Sequence, residues 1–197
     1  MRDWYMVETF PLETERSLGG KIYFSDKPES NKVLIFGYGL GKNFSQNIEG
    51  FRLFANALRC WHGITVVTFD YRGTCASKMK FEKSSLLTRF EDFCSVVEYV
   101  RVLFPLKNWQ IFLGGHSAGG PLAIRVADHF RDISGIILTA PAAYHNDAWK
   151  MRFGKAFTKV LARKHGWRYS LEFETLEELH KPTGLVVCEG DRVVWKA

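Results

Sequence analysis

Two periods of apolar and polar positions alternate along the chain, and the switches between them lay out its elements. Lys32–Gly37, Ile64–Phe69, Gln110–Leu113, Ile133–Thr139 and Gly184–Cys188 are short runs rich in β-branched and aliphatic residues, the pattern of strands buried on both faces of a parallel sheet. Gly20–Phe24 reads as an earlier strand, set off by the turn Pro28-Glu29-Ser30-Asn31. Between strands the period changes to three and four. Phe51, Phe54, Ala57 and Leu58 share a face over residues 46–60, and Gly63 follows as a stop signal. Phe90, Phe93, Val97 and Val100 do the same over Leu86–Phe104, which Pro105 ends. Gly119–Phe130 predicts a third helix, and a longer helical region is expected over residues 146–180. Strands alternating with helices imply right-handed crossovers and a mostly parallel sheet with helices on both faces. The expected fold is one α/β domain, with no internal repeat or linker.

Length and charge narrow the classes. At 197 residues the chain suits one domain. No apolar run nears the roughly 18–20 residues that cross a bilayer, and MRDWYMVETFPLETER lacks the apolar core of a secretory signal; a cytoplasmic location is expected. Cys60, Cys75, Cys94 and Cys188 sit singly, with no metal-ligand spacing, as reduced thiols do. The net charge of +6 raises nucleic acid or anionic membrane as partners. Much of it is local, because Lys150, Arg152, Lys155, Lys159, Arg163, Lys164 and Arg168 interleave with Trp149, Phe153, Ala156, Phe157, Val160 and Leu161 at helical spacing. Two readings stay open for that segment: an amphipathic helix with solvated lysines, or a surface that docks on anionic lipid. Nucleic acid is not expected, since no recognition module accompanies the charge.

The strongest chemical signal is WQIFLGGHSAGGPLAIRVADHF, where a strand runs into Gly115-His116-Ser117-Ala118-Gly119 and a helix begins at once. A serine hydroxyl is a poor nucleophile unless a neighbour positions and deprotonates it. A sharp strand-to-helix turn projects Ser117 above the sheet, and the small residues around it permit the tight backbone. The Ala118 N–H then lies at a helix N-terminus, where free amides favour an oxyanion.

With these residues the chain resembles the α/β-hydrolase family, in particular its monoacylglycerol-lipase and serine-aminopeptidase-like branch. Gly37-Tyr38-Gly39-Leu40-Gly41 is similar to the family's oxyanion loop, with Tyr38 where histidine is usual, which implies the Leu40 N–H as second oxyanion donor. Asp70-Tyr71-Arg72-Gly73-Thr74-Cys75-Ala76-Ser77 resembles a family turn in which aspartate and arginine tie loops together, with Cys75 in place of a glycine. Ile136–Ala142 resembles the strand end bordering the pocket, so Tyr38, Gly39, Pro141 and His145 are candidate pocket residues. Asp191, in Glu189-Gly190-Asp191-Arg192-Val193-Val194, matches the acid that orients the triad histidine. The resemblance divides the chain into a core at 1–141, a helical cap insertion at 142–182 and a return to the core at 183–197.

The base is not among these motifs. His62, His116, His129, His145, His165 and His180 all precede Asp191, whereas the resemblance implies a histidine after one further strand. The expectation is a C-terminally incomplete hydrolase fold, lacking its last strand and histidine loop and leaving Gly184–Cys188 as an exposed edge. His116 is expected to pack under the sheet, His129 to end its helix, and His145 alone to lie near the pocket. The implied activity is hydrolysis of small or lipid-like acyl esters through an acyl-enzyme on Ser117, without metal or cofactor. A thioesterase or peptidase, and an inactive fold that binds a ligand or partner, remain the alternatives.

Overall fold

The structure is a computed structural model that describes residues 7–12, 18–41, 49–74, 77–187 and 189. Its seven strands are β1 (Val7–Leu12), β2 (Leu18–Tyr23), β3 (Lys32–Gly37), β4 (Ile64–Phe69), β5 (Gln110–His116), β6 (Gly135–Thr139) and β7 (Thr183–Val186). They form one sheet in the order β1-β2-β4-β3-β5-β6-β7. β2 runs antiparallel to β1 and β4, and every pair from β4 to β7 is parallel. β3 has β4 on one side and β5 on the other, so the crossovers reverse direction there. The loops leaving the C-terminal ends of β3 and β5 meet at this reversal, the position at which ligands bind in such sheets.

Five helices accompany the sheet among the described residues: α1 (Glu49–Trp61), α2 (Leu86–Leu103), α3 (Gly119–His129), α4 (Lys155–Leu161) and α5 (Glu172–Leu179). The central strands are buried on both faces, as their continuous apolar runs require: Val33, Ile35 and Val67 on one face and Leu34 and Val66 on the other are almost wholly shielded from solvent. α2 begins at Ser85, whose hydroxyl accepts from the Thr88 N–H at 3.1 Å, satisfying a donor that the first turn leaves open. The turn after β4 is fastened to α2: the Arg72 N–H and Nε donate to the two oxygens of buried Asp92 at 2.8 and 2.5 Å, and Nη2 donates to Glu91. The arginine of that turn therefore has a helix carboxylate as its partner.

Several expectations change in detail, and β2 begins two residues earlier than expected, at Leu18. β1 is an additional strand, antiparallel to β2. β5 runs on to His116, β6 starts at Gly135 and β7 spans Thr183–Val186. The continuous helix expected over residues 146–180 is instead broken into two short 3-10 turns, Asn146–Ala148 and Gly166–Tyr169, around α4 and before α5. Gly154 at φ 153° and left-handed His165 at φ 58° lie at the breaks, and neither conformation continues a helix. The stretch before α4 is fixed to the start of α2 by Leu87 N–H to Trp149 C=O at 3.0 Å and Phe153 N–H to Ser84 C=O at 2.9 Å. β7 pairs with β6, and Leu185 and Val186 are exposed. No helix among the described residues is long and apolar enough to cross a membrane.

Candidate active site

Ser117 leaves β5 in the left-handed region, at φ 52°, a conformation that costs a non-glycine residue about 1–3 kcal/mol. Three backbone hydrogen bonds hold it there. Its N–H donates to Thr139 C=O on β6, and its carbonyl accepts from the Gly120 and Ala142 N–H groups, each at 3.0 Å. The turn also needs its glycines. A Cβ on Gly115 would fall on the backbone of Gly119, and one on Gly120 would stand 2.7 Å from Pro141 Cβ. The half-buried serine is thus held by backbone contacts from the end of β6, the segment that follows it and the start of α3.

The β3–β5 register pairs Gly37 with Gly115, so the loop after β3 runs alongside the serine turn. A Cβ on Gly39 would lie 3.2 Å from Ser117 Cβ and 3.6 Å from its Oγ. Leu40 follows Gly39 directly, and Ala118, the residue after Ser117, is the N-cap of α3. Among the described residues neither the Leu40 nor the Ala118 N–H is engaged in a hydrogen bond. Two such amides near a hydroxyl, one at a helix start, form an arrangement that can hold negative charge on an adjoining oxygen.

The other predicted residues are placed as follows. Tyr38 is buried with its ring edge-on to Phe51 at 5.0 Å, and burial raises its hydroxyl pKa well above the ordinary value, with the charge of Asp70 adding to the rise. Pro141 packs against Gly120. His145 faces the segment between β6 and β7: its Nδ1 accepts from the Asp147 N–H at 3.1 Å and its ring meets Tyr169 at 5.3 Å. A hydrogen bond from Arg163 lowers the Asp147 carboxyl below its ordinary value. His116 is exposed rather than packed under the sheet, and its Nδ1 meets Thr139 Oγ1 at 3.2 Å. Ala118, on the far side of the left-handed Ser117 in the chain, is wholly buried. His129 ends α3, its ring edge-on to Phe90 and Phe130. No histidine among the described residues hydrogen-bonds the Ser117 hydroxyl. Asp191, Cys75 and Cys188 lie outside the described residues. No cluster of metal-ligating side chains occurs among the described residues.

One neighbour of the site escapes a reading by pattern. Arg89, wholly buried in the first turns of α2, donates from Nη1 to the Gly39 carbonyl at 3.0 Å. Its position three after Leu86 and four before Phe93 puts it on the helix's inner face, which is the one available signal.

Comparison with known proteins agrees with this geometry. The family described as serine aminopeptidase, S33, matches residues 44–196. Among curated proteins, none matches the chain. Among solved structures, the chain is similar to Est1E from Butyrivibrio proteoclasticus with ferulic acid bound, at 18% identity over 88% of this chain and 86% of that one, with a TM-score of 0.62. It is similar to XC6422 from Xanthomonas campestris, described as an α/β serine hydrolase without lid, at 20% identity over 92% and 83%, TM-score 0.60. A soluble variant of monoglyceride lipase from Saccharomyces cerevisiae aligns at 23% identity over 73% of this chain and 46% of the lipase, TM-score 0.56. The likenesses support the fold, and the family match covers well over half the sequence. The chain belongs to the serine aminopeptidase S33 family of α/β-hydrolases.

Proposed function

We propose that this hydrolase acts on carboxylic esters by forming an acyl-enzyme on Ser117. The observation that carries the reading is the strained serine itself, held at φ 52° with Gly39 against its hydroxyl, together with Leu40 and Ala118 amides that make no hydrogen bond among the described residues. In the proposed reaction Ser117 Oγ attacks the ester carbonyl and a histidine takes its proton. The carbonyl oxygen becomes an oxyanion held by the two amides. The same histidine returns the proton to the leaving alcohol, and water then releases the acid by the reverse sequence. Asp191 is the proposed partner that orients the histidine. The segment between β6 and β7, clamped to α2 beside this turn, is proposed as a cap that selects the acyl or alcohol group. Small or lipid-like acyl esters are the proposed substrates, by analogy with the monoglyceride lipase.

His145 is not proposed as the base, since its Nδ1 is already engaged with the Asp147 N–H. A fluorophosphonate probe tests serine and base together. Ser117 of the 197-residue chain should be labelled slowly, Ser117→Ala should abolish labelling, and free imidazole should accelerate it by supplying a diffusible base. His145→Ala should leave the rate within about twofold, because its ring is engaged with Asp147 and Tyr169 and not with Ser117. No labelling even with imidazole would refute the nucleophile. Fast labelling lost in His145→Ala would make His145 the base.

The exposed Tyr169, Leu171 and Phe173 beside Lys164 and Arg168 favour a second element. This face of the proposed cap is proposed to rest on anionic lipid.

A further inference from the structure

Arg89 is a buried charge without a carboxylate at hydrogen-bond distance among the described residues. Its Nε and Nη2 have no hydrogen-bond partner there. The guanidinium is instead enclosed by aromatic rings, with Tyr71, Phe153 and Phe81 centred 4.8, 5.1 and 5.8 Å from its central carbon. The nearby carboxylate of Asp92 is bonded to Arg72. An apolar side chain of similar length would fill this space without the desolvation that a buried charge suffers. Among the described residues, the one hydrogen bond the guanidinium makes runs from Nη1 to the Gly39 carbonyl, at 3.0 Å.

That carbonyl belongs to the peptide unit whose other end is the Leu40 N–H. A trans peptide is planar, so its C=O and N–H point in opposite directions. Glycine at position 39 eases the close approach to Ser117, where a Cβ would stand 3.2 Å from the serine Cβ, yet glycine also leaves the following peptide the most freedom to rotate. We propose that Arg89 is a positioning residue for the oxyanion hole: by holding the Gly39 carbonyl into the core, it turns the Leu40 N–H toward the oxygen that becomes charged on attack by Ser117. The proposal rests on the serine-hydrolase reading for its chemistry and on the hydrogen bond alone for its geometry. It also gives the segment between β6 and β7 a hand in the site, since Phe153 supplies one of the rings that enclose the charge.

The test follows the peptide directly. Protein labelled with glycine carrying 13C at the carbonyl and with 15N-leucine gives signals from two Gly–Leu pairs, Gly39–Leu40 and Gly184–Leu185, the second serving as internal control. In Arg89→Met the Gly39 carbonyl and Leu40 amide signals should shift while the control pair stays in place. Fluorophosphonate labelling of Ser117, measured with imidazole present, should fall by about tenfold to a hundredfold, the scale of a displaced oxyanion donor. Arg89→Lys, which keeps the charge and a donor, should recover most of both. Unmoved Gly39–Leu40 signals would overturn the proposal, and so would moved signals with an unchanged labelling rate. Should Arg89→Met fail to fold, the wild type decides, by a scalar coupling across the hydrogen bond between an Arg89 Nη and the Gly39 carbonyl: present supports the proposal, absent overturns it. If no variant labels, wild type included, the serine-hydrolase reading fails and the oxyanion role with it, whereas failure of Arg89 alone leaves wild-type labelling intact.

Discussion

Replacing Gly119 by alanine separates the two halves of the proposed site with a single methyl group. A Cβ at this position would lie 2.7 Å from the Gly37 carbonyl carbon and 2.9 Å from the Tyr38 carbonyl oxygen, with the Gly37 oxygen closer still. All three are backbone atoms of the loop that carries Leu40, so no side chain can swing aside to relieve the contact. To reach ordinary separations the loop must retreat from α3 by roughly 0.5–1 Å. Stability should suffer modestly: overpacking costs about 1–3 kcal/mol, and alanine offsets about 1 kcal/mol of that as the better helix former. The net loss of about 0–2 kcal/mol corresponds to about 2–4 °C per kcal/mol in the midpoint of a chain this size. Function should suffer far more, since a 1 Å misplacement can cost about a hundredfold in rate. The assay pairs urea unfolding with the rate at which a fluorophosphonate labels Ser117 in imidazole buffer, at temperatures where both proteins are folded. Gly50→Ala serves as control, because a Cβ there meets nothing within 4 Å, and it should leave the labelling rate unchanged. A Gly119→Ala protein that labels at the wild-type rate would refute the argument. So would one whose lost labelling tracks its unfolded fraction.

Two further perturbations bear on parts of the chain away from the hydroxyl. Asp92→Asn removes a buried carboxylate that takes two hydrogen bonds from Arg72, and should cost about 3 kcal/mol in urea unfolding, as breaking buried pairs does; a loss under 1 kcal/mol would show that Glu91 and the Thr88 carbonyl suffice to hold the arginine. For the basic segment, co-sedimentation with vesicles containing anionic lipid should exceed that with neutral vesicles and fall as salt is raised, because surface charges are screened within about 10 Å at 0.1 M salt. Binding indifferent to lipid charge and salt would reduce Lys164 and Arg168 to solvated surface.

The core strands are legible in the sequence because their burial leaves little choice of residue. Ile64–Phe69 is apolar or β-branched almost throughout, and it lies where both faces of the sheet are covered. β1 has no such signature: Val7–Leu12 contains Glu8, Thr9 and Pro11, and its identity as a strand comes from pairing with β2 rather than from its own pattern. The segment between β6 and β7 misleads for a related reason. Its apolar residues do recur at helical spacing, but periodicity describes which side is buried and not whether the backbone is continuous. Local conformations at Gly154 and His165 decide that, and they divide it into short helices.

The serine turn is legible for a physical reason that the structure makes plain. Gly115, Gly119 and Gly120 each face another backbone or a proline ring at distances no Cβ tolerates, so the closeness of packing is written directly into residue type. Arg89 is the opposite case. Read along α2 it is one more basic residue on a helix, and charges on helices are ordinarily solvated. Only the fold reveals that its side chain ends against the Gly39 carbonyl with rings around it. Glycines record where backbones touch, and a sequence lists them all. A buried charge takes its meaning from the group at its far end, here a peptide fifty residues earlier in the chain. The loop after β3 thus depends on two kinds of information: the approach of Gly39 to Ser117, which residue type declares, and the orientation of the Gly39–Leu40 peptide, which a partner from another element fixes in the proposed oxyanion site.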